Sequence, residues 1–93
     1  MDLSLDGKVA LITGASRGIG KSCALALSQE GCNLTICARG KERLEETAEA
    51  LKAEGIEVLA IQIDITKPKE VDSFFTQAVE KFDRIDILVN NAR

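Results

Sequence analysis

The chain has 93 residues, 45% of them hydrophobic and 29% charged, with a formal net charge of −3: enough apolar material for the core of one domain, 1–93, near the lower edge of domain size, and the wrong sign for a general nucleic-acid or anionic-membrane binder. No apolar run approaches the ~18 residues of a membrane span, and the opening MDLSLDGKVA, with an acid at Asp2 and no basic n-region, does not read as a secretion signal. Cys23, Cys32 and Cys37, irregularly spaced, form neither a disulfide framework nor a metal-ligand pattern; they read as small thiols of a reducing, cytoplasmic protein, and no metal site is expected.

In chain order, KVALIT at 8–13 is a continuous apolar run ended by Gly14, the mark of a strand buried on both faces in a parallel sheet. From Ile19 the pattern turns helical, with Ile19, Cys23, Ala26 and Leu27 at helical spacing and Gly31 placed as a carboxyl-terminal stop. NLTICA at 33–38 is a second strand. Over about 41–54, Leu44, Thr47, Ala48 and Leu51 share one face and Glu45, Glu46, Glu49 and Lys52 the solvated one, up to Gly55. EVLAIQI at 57–63 is a third strand. Thr66 and Pro68 mark a further helix start, after which Val71, Phe74, Phe75, Ala78, Val79 and Phe82 trace an apolar stripe that reads as core packing. DILVNN at 86–91 is a fourth strand. The order β-α-β-α-β-α-β, with short connections, implies an α/β fold with a parallel sheet and right-handed crossovers. In a doubly wound sheet the first two helices cover one face and the third crosses to the other. The fourth strand is then left as an open edge.

The stretch LITGASRGIGKS at 11–22 carries a glycine turn. A mononucleotide P-loop, G-x-x-x-x-G-K-[ST], would need glycine at position 15, which is Ala15. The G-x-G-x-x-G fingerprint does not fit either, because Gly14, Gly18 and Gly20 are spaced G-x-x-x-G-x-G. That spacing has its own logic. Gly14 turns the chain off the strand, and Gly18 and Gly20 let bare backbone approach a pyrophosphate at the head of a helix. Lys21 and Ser22 are then ordinary first-turn residues. The alternative is a tight strand-to-helix turn with no ligand.

TGASRGIG at 13–20, Asp64-Ile65 after the third strand and NNA at 90–92 after the fourth resemble the short-chain dehydrogenase/reductase family, of the 3-oxoacyl-acyl-carrier-protein reductase type. The resemblance covers the whole chain and places each motif at the carboxyl end of a strand, where open α/β sheets bind ligands. It implies the amino-terminal portion of a doubly wound (Rossmann) sheet. It also implies that Ser16, Arg17 and Ile19 meet the cofactor phosphates, beside Gly14, Gly18 and Gly20. Asp64 would accept from the adenine amino group, with the Ile65 backbone next to it. Asn90 would brace neighbouring strands through main-chain hydrogen bonds, and Ala92 would lie near the adenosine ribose. For Asp64 the alternative is an acid serving the dipole of the following helix.

The second strand ends in Ala38-Arg39, where NAD enzymes commonly carry an acid. A guanidinium there can grip a 2′-phosphate, with Arg17 as a second charge, so the expected cofactor is NADP(H) rather than NAD. The alternative for Arg39 is a solvated loop cation. The family's chemistry uses a serine, a Tyr-x-x-x-Lys pair and a further asparagine beyond the fourth strand; these 93 residues contain no tyrosine and no histidine, so no catalytic residue is assigned. Arg93 stands where the family's NNAG has its last glycine. The expectation is thus the NADP(H)-binding amino-terminal part of an oxidoreductase acting on carbonyl and alcohol substrates, inactive by itself. Its partners would be the dinucleotide, and another copy or the missing carboxyl-terminal half at the open edge. A non-catalytic nucleotide-binding or interaction module and one half of a split enzyme are the alternatives.

Overall fold

The runs VALIT and NLTICA carry β-branched residues with no polar alternation, and such strands are stable only when both faces are covered. In the computed structural model, which describes residues 5–15 and 18–90, they become β1 (Val9–Thr13) and β2 (Asn33–Ala38) at the centre of a parallel sheet ordered β3-β2-β1-β4. The outer strands are β3 (Val58–Gln62) and β4 (Ile87–Asn90). Between them run α1 (Gly18–Gln29), α2 (Lys41–Lys52) and α3 (Pro68–Phe82). Val9 to Ile12 and Leu34 to Ala38 are buried without a break, whereas β4 alternates half-buried and exposed positions, as befits an edge.

Side chains alternate across the sheet, and two cores follow. Ala10, Ile12, Leu34 and Ile36 point to one face and pack with Ala24 of α1 and Leu44, Ala48 and Leu51 of α2. Leu11, Cys37 and Ile63 point to the other and meet Phe74 and Ala78 of α3. The division of helices between faces is the one the topology predicts.

The helices differ in how well their buried faces follow the apolar residues. In α2 the buried set is Leu44, Thr47, Ala48 and Leu51, as read. In α3 Phe74 and Ala78 are buried, but Val79 is 46% exposed and lies off the packed stripe. In α1 the expected stripe is wrong: Gly20, Ala24 and Ser28 are buried, Ala26 is exposed, and Ile19 is 72% exposed. Residues four apart stack on one face, and this row of small side chains presents little bulk between α1 and the sheet. Ser28 tolerates burial because its hydroxyl donates to the Leu25 carbonyl at 2.7 Å.

The chain turns away after α1 at Gly31, whose φ of +87° suits a residue without a Cβ and whose N–H donates to the Ser28 carbonyl at 3.1 Å. Pro68 opens α3 behind Lys67, where its missing N–H costs nothing. Strand β4 is tied to the head of β1 by one residue. The Asp86 N–H donates to the Val9 carbonyl, and the Val9 N–H donates to Asp86 Oδ2, both at 2.8 Å. Arg84 Nη2 holds the other carboxylate oxygen at 2.7 Å.

Candidate functional site

The four parallel strands end at one edge of the sheet, and the register fixes what meets there. Thr13 stands opposite Cys37 on one side and Asn90 on the other, and Ala38 stands opposite Gln62. The loops leaving these ends carry the candidate residues.

At the end of β1 the chain leaves through Gly14 at φ +64° and enters α1 through Gly18 at φ +61°. A side chain in this left-handed region costs about 1–2 kcal/mol, which accounts for glycine at both. The loop is pinned to the end of β2: the Ala15 N–H donates to the Cys37 carbonyl at 3.2 Å, and the Gly14 backbone hydrogen-bonds the Cys37 thiol. Burial nevertheless pushes that thiol up to about 11, so it stays a neutral packing group. A Cβ added at Gly18 would meet no atom of the described residues within 4 Å. The first turn of α1 has no acidic residue to offset its partial positive charge, and Gly20 is buried behind it. Ile19 is exposed at the helix head. A helix head with free N–H groups, and a glycine at its first position, is the kind of geometry that suits an anion. Ser16 and Arg17 lie outside the described residues.

At the ends of β2 and β3 two charged groups come together. Arg39, its side chain 75% exposed, places Nη2 3.9 Å from Asp64 Oδ2. The Arg39 carbonyl accepts from Gln62 Nε2 at 2.9 Å. Asp64 Oδ1 accepts from the Thr66 N–H at 2.9 Å and the Thr66 hydroxyl at 2.7 Å. These two bonds, the hydroxyl's first, and the nearby Arg39 and Lys67 charges hold the Asp64 carboxyl below the usual range. The Asp64 carboxylate therefore caps the turn before α3. The acid in the first turn of that helix is Glu70, which also accepts from the Asp64 N–H at 3.0 Å. Ile65 is half-buried against the Phe74 core. Asn90 closes the row at the end of β4, its Oδ1 accepting from the Thr13 hydroxyl at 3.0 Å. Ala92 lies outside the described residues, as does Arg93.

Sequence reasoning took Thr66 only as part of a helix start and passed over Gln62 and Glu70; the three fix the positions of Arg39 and Asp64. The Asp-x-Thr spacing at 64–66 is the signal for the side-chain turn; Gln62 becomes visible only through the strand register. The arrangement offers a helix-head anion cradle at β1, a cation at β2, and a carboxylate acceptor at β3. Among the described residues no helix is long and apolar enough to cross a membrane.

Comparison with known proteins gives a consistent outcome. The family model described as short chain dehydrogenase matches residues 8–93. The 3-oxoacyl-[acyl-carrier-protein] reductase FabG of Staphylococcus epidermidis is 46% identical over 86 residues, covering 91% of this chain and 35% of its own length. L-sorbose reductase from Gluconobacter frateurii, solved with NADPH and L-sorbose, superposes with a TM-score of 0.95 at 41% identity, over 100% of this chain and 36% of its own. An NAD+-bound xylitol dehydrogenase superposes at 0.92 with 34% identity, over 95% of this chain and 34% of its own. The chain thus spans about a third of the length of the relatives it matches.

Proposed function

Because the chain belongs to the short-chain dehydrogenase family, we propose that residues 1–93 form the adenosine- and pyrophosphate-holding part of an NADP(H)-dependent oxidoreductase interconverting carbonyl and alcohol groups. The observation that carries the cofactor choice is Arg39, exposed at the end of β2 beside Asp64, with the glycine cradle at the end of β1. In this reading Gly14, Ser16, Arg17, Gly18, Ile19 and Gly20 take the pyrophosphate, and Arg39 takes the 2′-phosphate in a fork of N–H groups. Asp64 and Ile65 take the adenine, Asn90 braces the neighbouring strands, and Ala92 lies near the adenosine ribose. The dinucleotide, when bound, supplies or accepts the hydride. The residues of this chain bind and orient it. With no tyrosine or histidine among the 93 residues, the proton for the substrate oxygen comes from a segment outside them.

Titration with NADPH and NADH tests the reading. A charge-assisted hydrogen bond contributes about 1.5–3 kcal/mol, so Arg39→Ala should weaken NADPH about ten- to a hundredfold without weakening NADH. Equal losses for both cofactors would refute the assignment of Arg39. A second reading is favoured by the open β4 edge, where Leu88 is 56% exposed: a dinucleotide-binding module completed by another chain, either a second copy or a carboxyl-terminal half. Light scattering on chain of verified mass, alone and with the carboxyl-terminal portion, tests it; a monodisperse monomer in both samples removes this reading.

A further inference from the structure

Cations gather where the helices begin. Helix starts favour acids and helix ends favour bases, because the aligned backbone dipoles leave partial positive charge at the start. Lys52 and Lys81 follow that preference in the last turns of α2 and α3. Lys41 and Arg43 do not: they stand in the first turn of α2, with Glu42 between them. Lys67 and Lys69 flank Pro68 at the start of α3, and Lys21 follows Gly20 in α1. Neither Gly40 nor Lys67 supplies a side-chain cap to its helix. Lys67 faces Glu70 at 3.7 Å, but Lys21, Lys41, Arg43 and Lys69 are exposed and have no ion-pair partner among the described residues. Over 18–21, 38–44 and 62–70, at the carboxyl edge of the sheet, six cations face three carboxylates, Glu42, Asp64 and Glu70. Glu45, Glu46 and Asp72 lie further along their helices. At the opposite edge the balance reverses: 5–8, 29–32, 52–57 and 80–86 hold seven carboxylates and four cations. A chain of net charge −3 thus keeps its positive pole around the glycine turn.

We propose that Lys21, Lys41, Arg43 and Lys69 form a cationic rim that draws a multiply phosphorylated nucleotide to the carboxyl edge by long-range attraction rather than by contact, at some cost in helix stability. The proposal rests on the cofactor reading above, but it concerns residues outside the binding set and a different effect, the concentration of a polyanion near the site. Nothing local accounts for these charges: they oppose the helix dipoles and join no ion pair among the described residues. The attraction grows with the charge of the ligand, so a nucleotide carrying several phosphates gains most from it, and salt removes it.

The test compares two double variants of the isotopically labelled full chain, titrated by NMR with adenosine 2′,5′-bisphosphate, whose phosphates together carry about −3 to −4. Lys41→Gln with Lys69→Gln removes two charges at the rim. Lys52→Gln with Lys81→Gln removes as many from the same two helices, at their other ends. For α2 those ends lie about 16 Å apart, beyond the screening length of about 10 Å at ~0.1 M salt. At that salt the rim pair should bind about three- to tenfold weaker than wild type, and the far pair within about twofold of it. At ~1 M salt the rim pair should come within about twofold as well. The rim pair should also melt no lower than wild type, whereas the far pair should melt lower. Equal losses in the two pairs at ~0.1 M salt, no loss in the rim pair, a rim loss that persists at ~1 M, or a rim pair that melts several degrees lower refutes the rim and leaves the cofactor reading standing. Absence of saturable shifts at Gly18 and Arg39 in the wild-type chain removes the cofactor reading, and the rim with it.

Discussion

Replacing Gly18 by alanine separates a phosphate cradle from a turn that is merely tight. Gly18 has φ +61° and Gly55 has φ +85°, and a Cβ at either position meets no atom of the described residues within 4 Å. The two therefore carry the same kind of cost, about 1–2 kcal/mol for an L-residue in the left-handed region. In a domain of this size each kcal/mol moves the melting temperature by about 4–8 °C, so both variants should melt about 4–16 °C below wild type. Their positions differ. Gly18 opens α1 at the carboxyl ends of the strands, whereas Gly55 lies between α2 and β3 at the opposite edge of the sheet. Only the Gly18 methyl group would stand where the proposed function puts the pyrophosphate. NADPH titration by calorimetry, beside thermal melts, should show affinity falling about tenfold or more, at least ~1.4 kcal/mol, for Gly18→Ala and unchanged for Gly55→Ala below its melting range. Wild-type affinity in Gly18→Ala, or an equal loss in Gly55→Ala, would refute the reasoning.

The other expectations concern the frame behind the site. Phe74 is fully buried between α3 and the sheet, so Phe74→Ala should cost about 3–5 kcal/mol in a urea melt; a loss under 1 kcal/mol would mean the α3 face is not packed as described. The Asp86 carboxyl lies below the usual range, chiefly through Arg84 and then the Val9 N–H. A depressed folded pKa gives stability that is fully present above the unfolded value of about 3.9 and lost as pH falls through the folded one. Melts against pH should therefore show a shallower acid limb in Asp86→Asn than in wild type, and parallel curves would count against the anchor. Cys32 and Cys37 are buried and Cys23 is half-buried, so a thiol reagent at pH 8 should label Cys23 first and the others only after denaturation. Early labelling of Cys37 would contradict its packing under the glycine turn.

The elements that were legible in the sequence are those whose periodicity is carried by large side chains. Helix α2 is the clearest: leucines alternate with glutamates at a helical period, and nothing else competes for its buried face. Helix α1 was misread because its buried residues are Gly20, Ala24 and Ser28, which an apolar scale does not register, while the conspicuous Ile19 is left outside. The sheet order follows from general rules of handedness and connection. The pairing of Arg39 with Asp64 does not. It depends on Ala38 standing opposite Gln62, a register that no local pattern encodes. Asp86 escaped notice for the same reason, since its partner Val9 lies 77 residues earlier.

That distance has a consequence for how the protein is made. Strand β1 has two neighbours, and the chain delivers them at very different times. Strand β2 follows directly, but β4 emerges only after the intervening helices and β3. At about 5–20 residues per second, the 77 residues from Val9 to Asp86 take about 4–15 s to synthesise. Throughout that interval one flank of β1 has backbone donors and acceptors with no native partner, on the most apolar strand of the molecule. A nascent chain in this state is open to strand pairing with its neighbours on the same message, and the vulnerable segment is β1, whose flank stays bare until β4, made long after it, arrives to cover it.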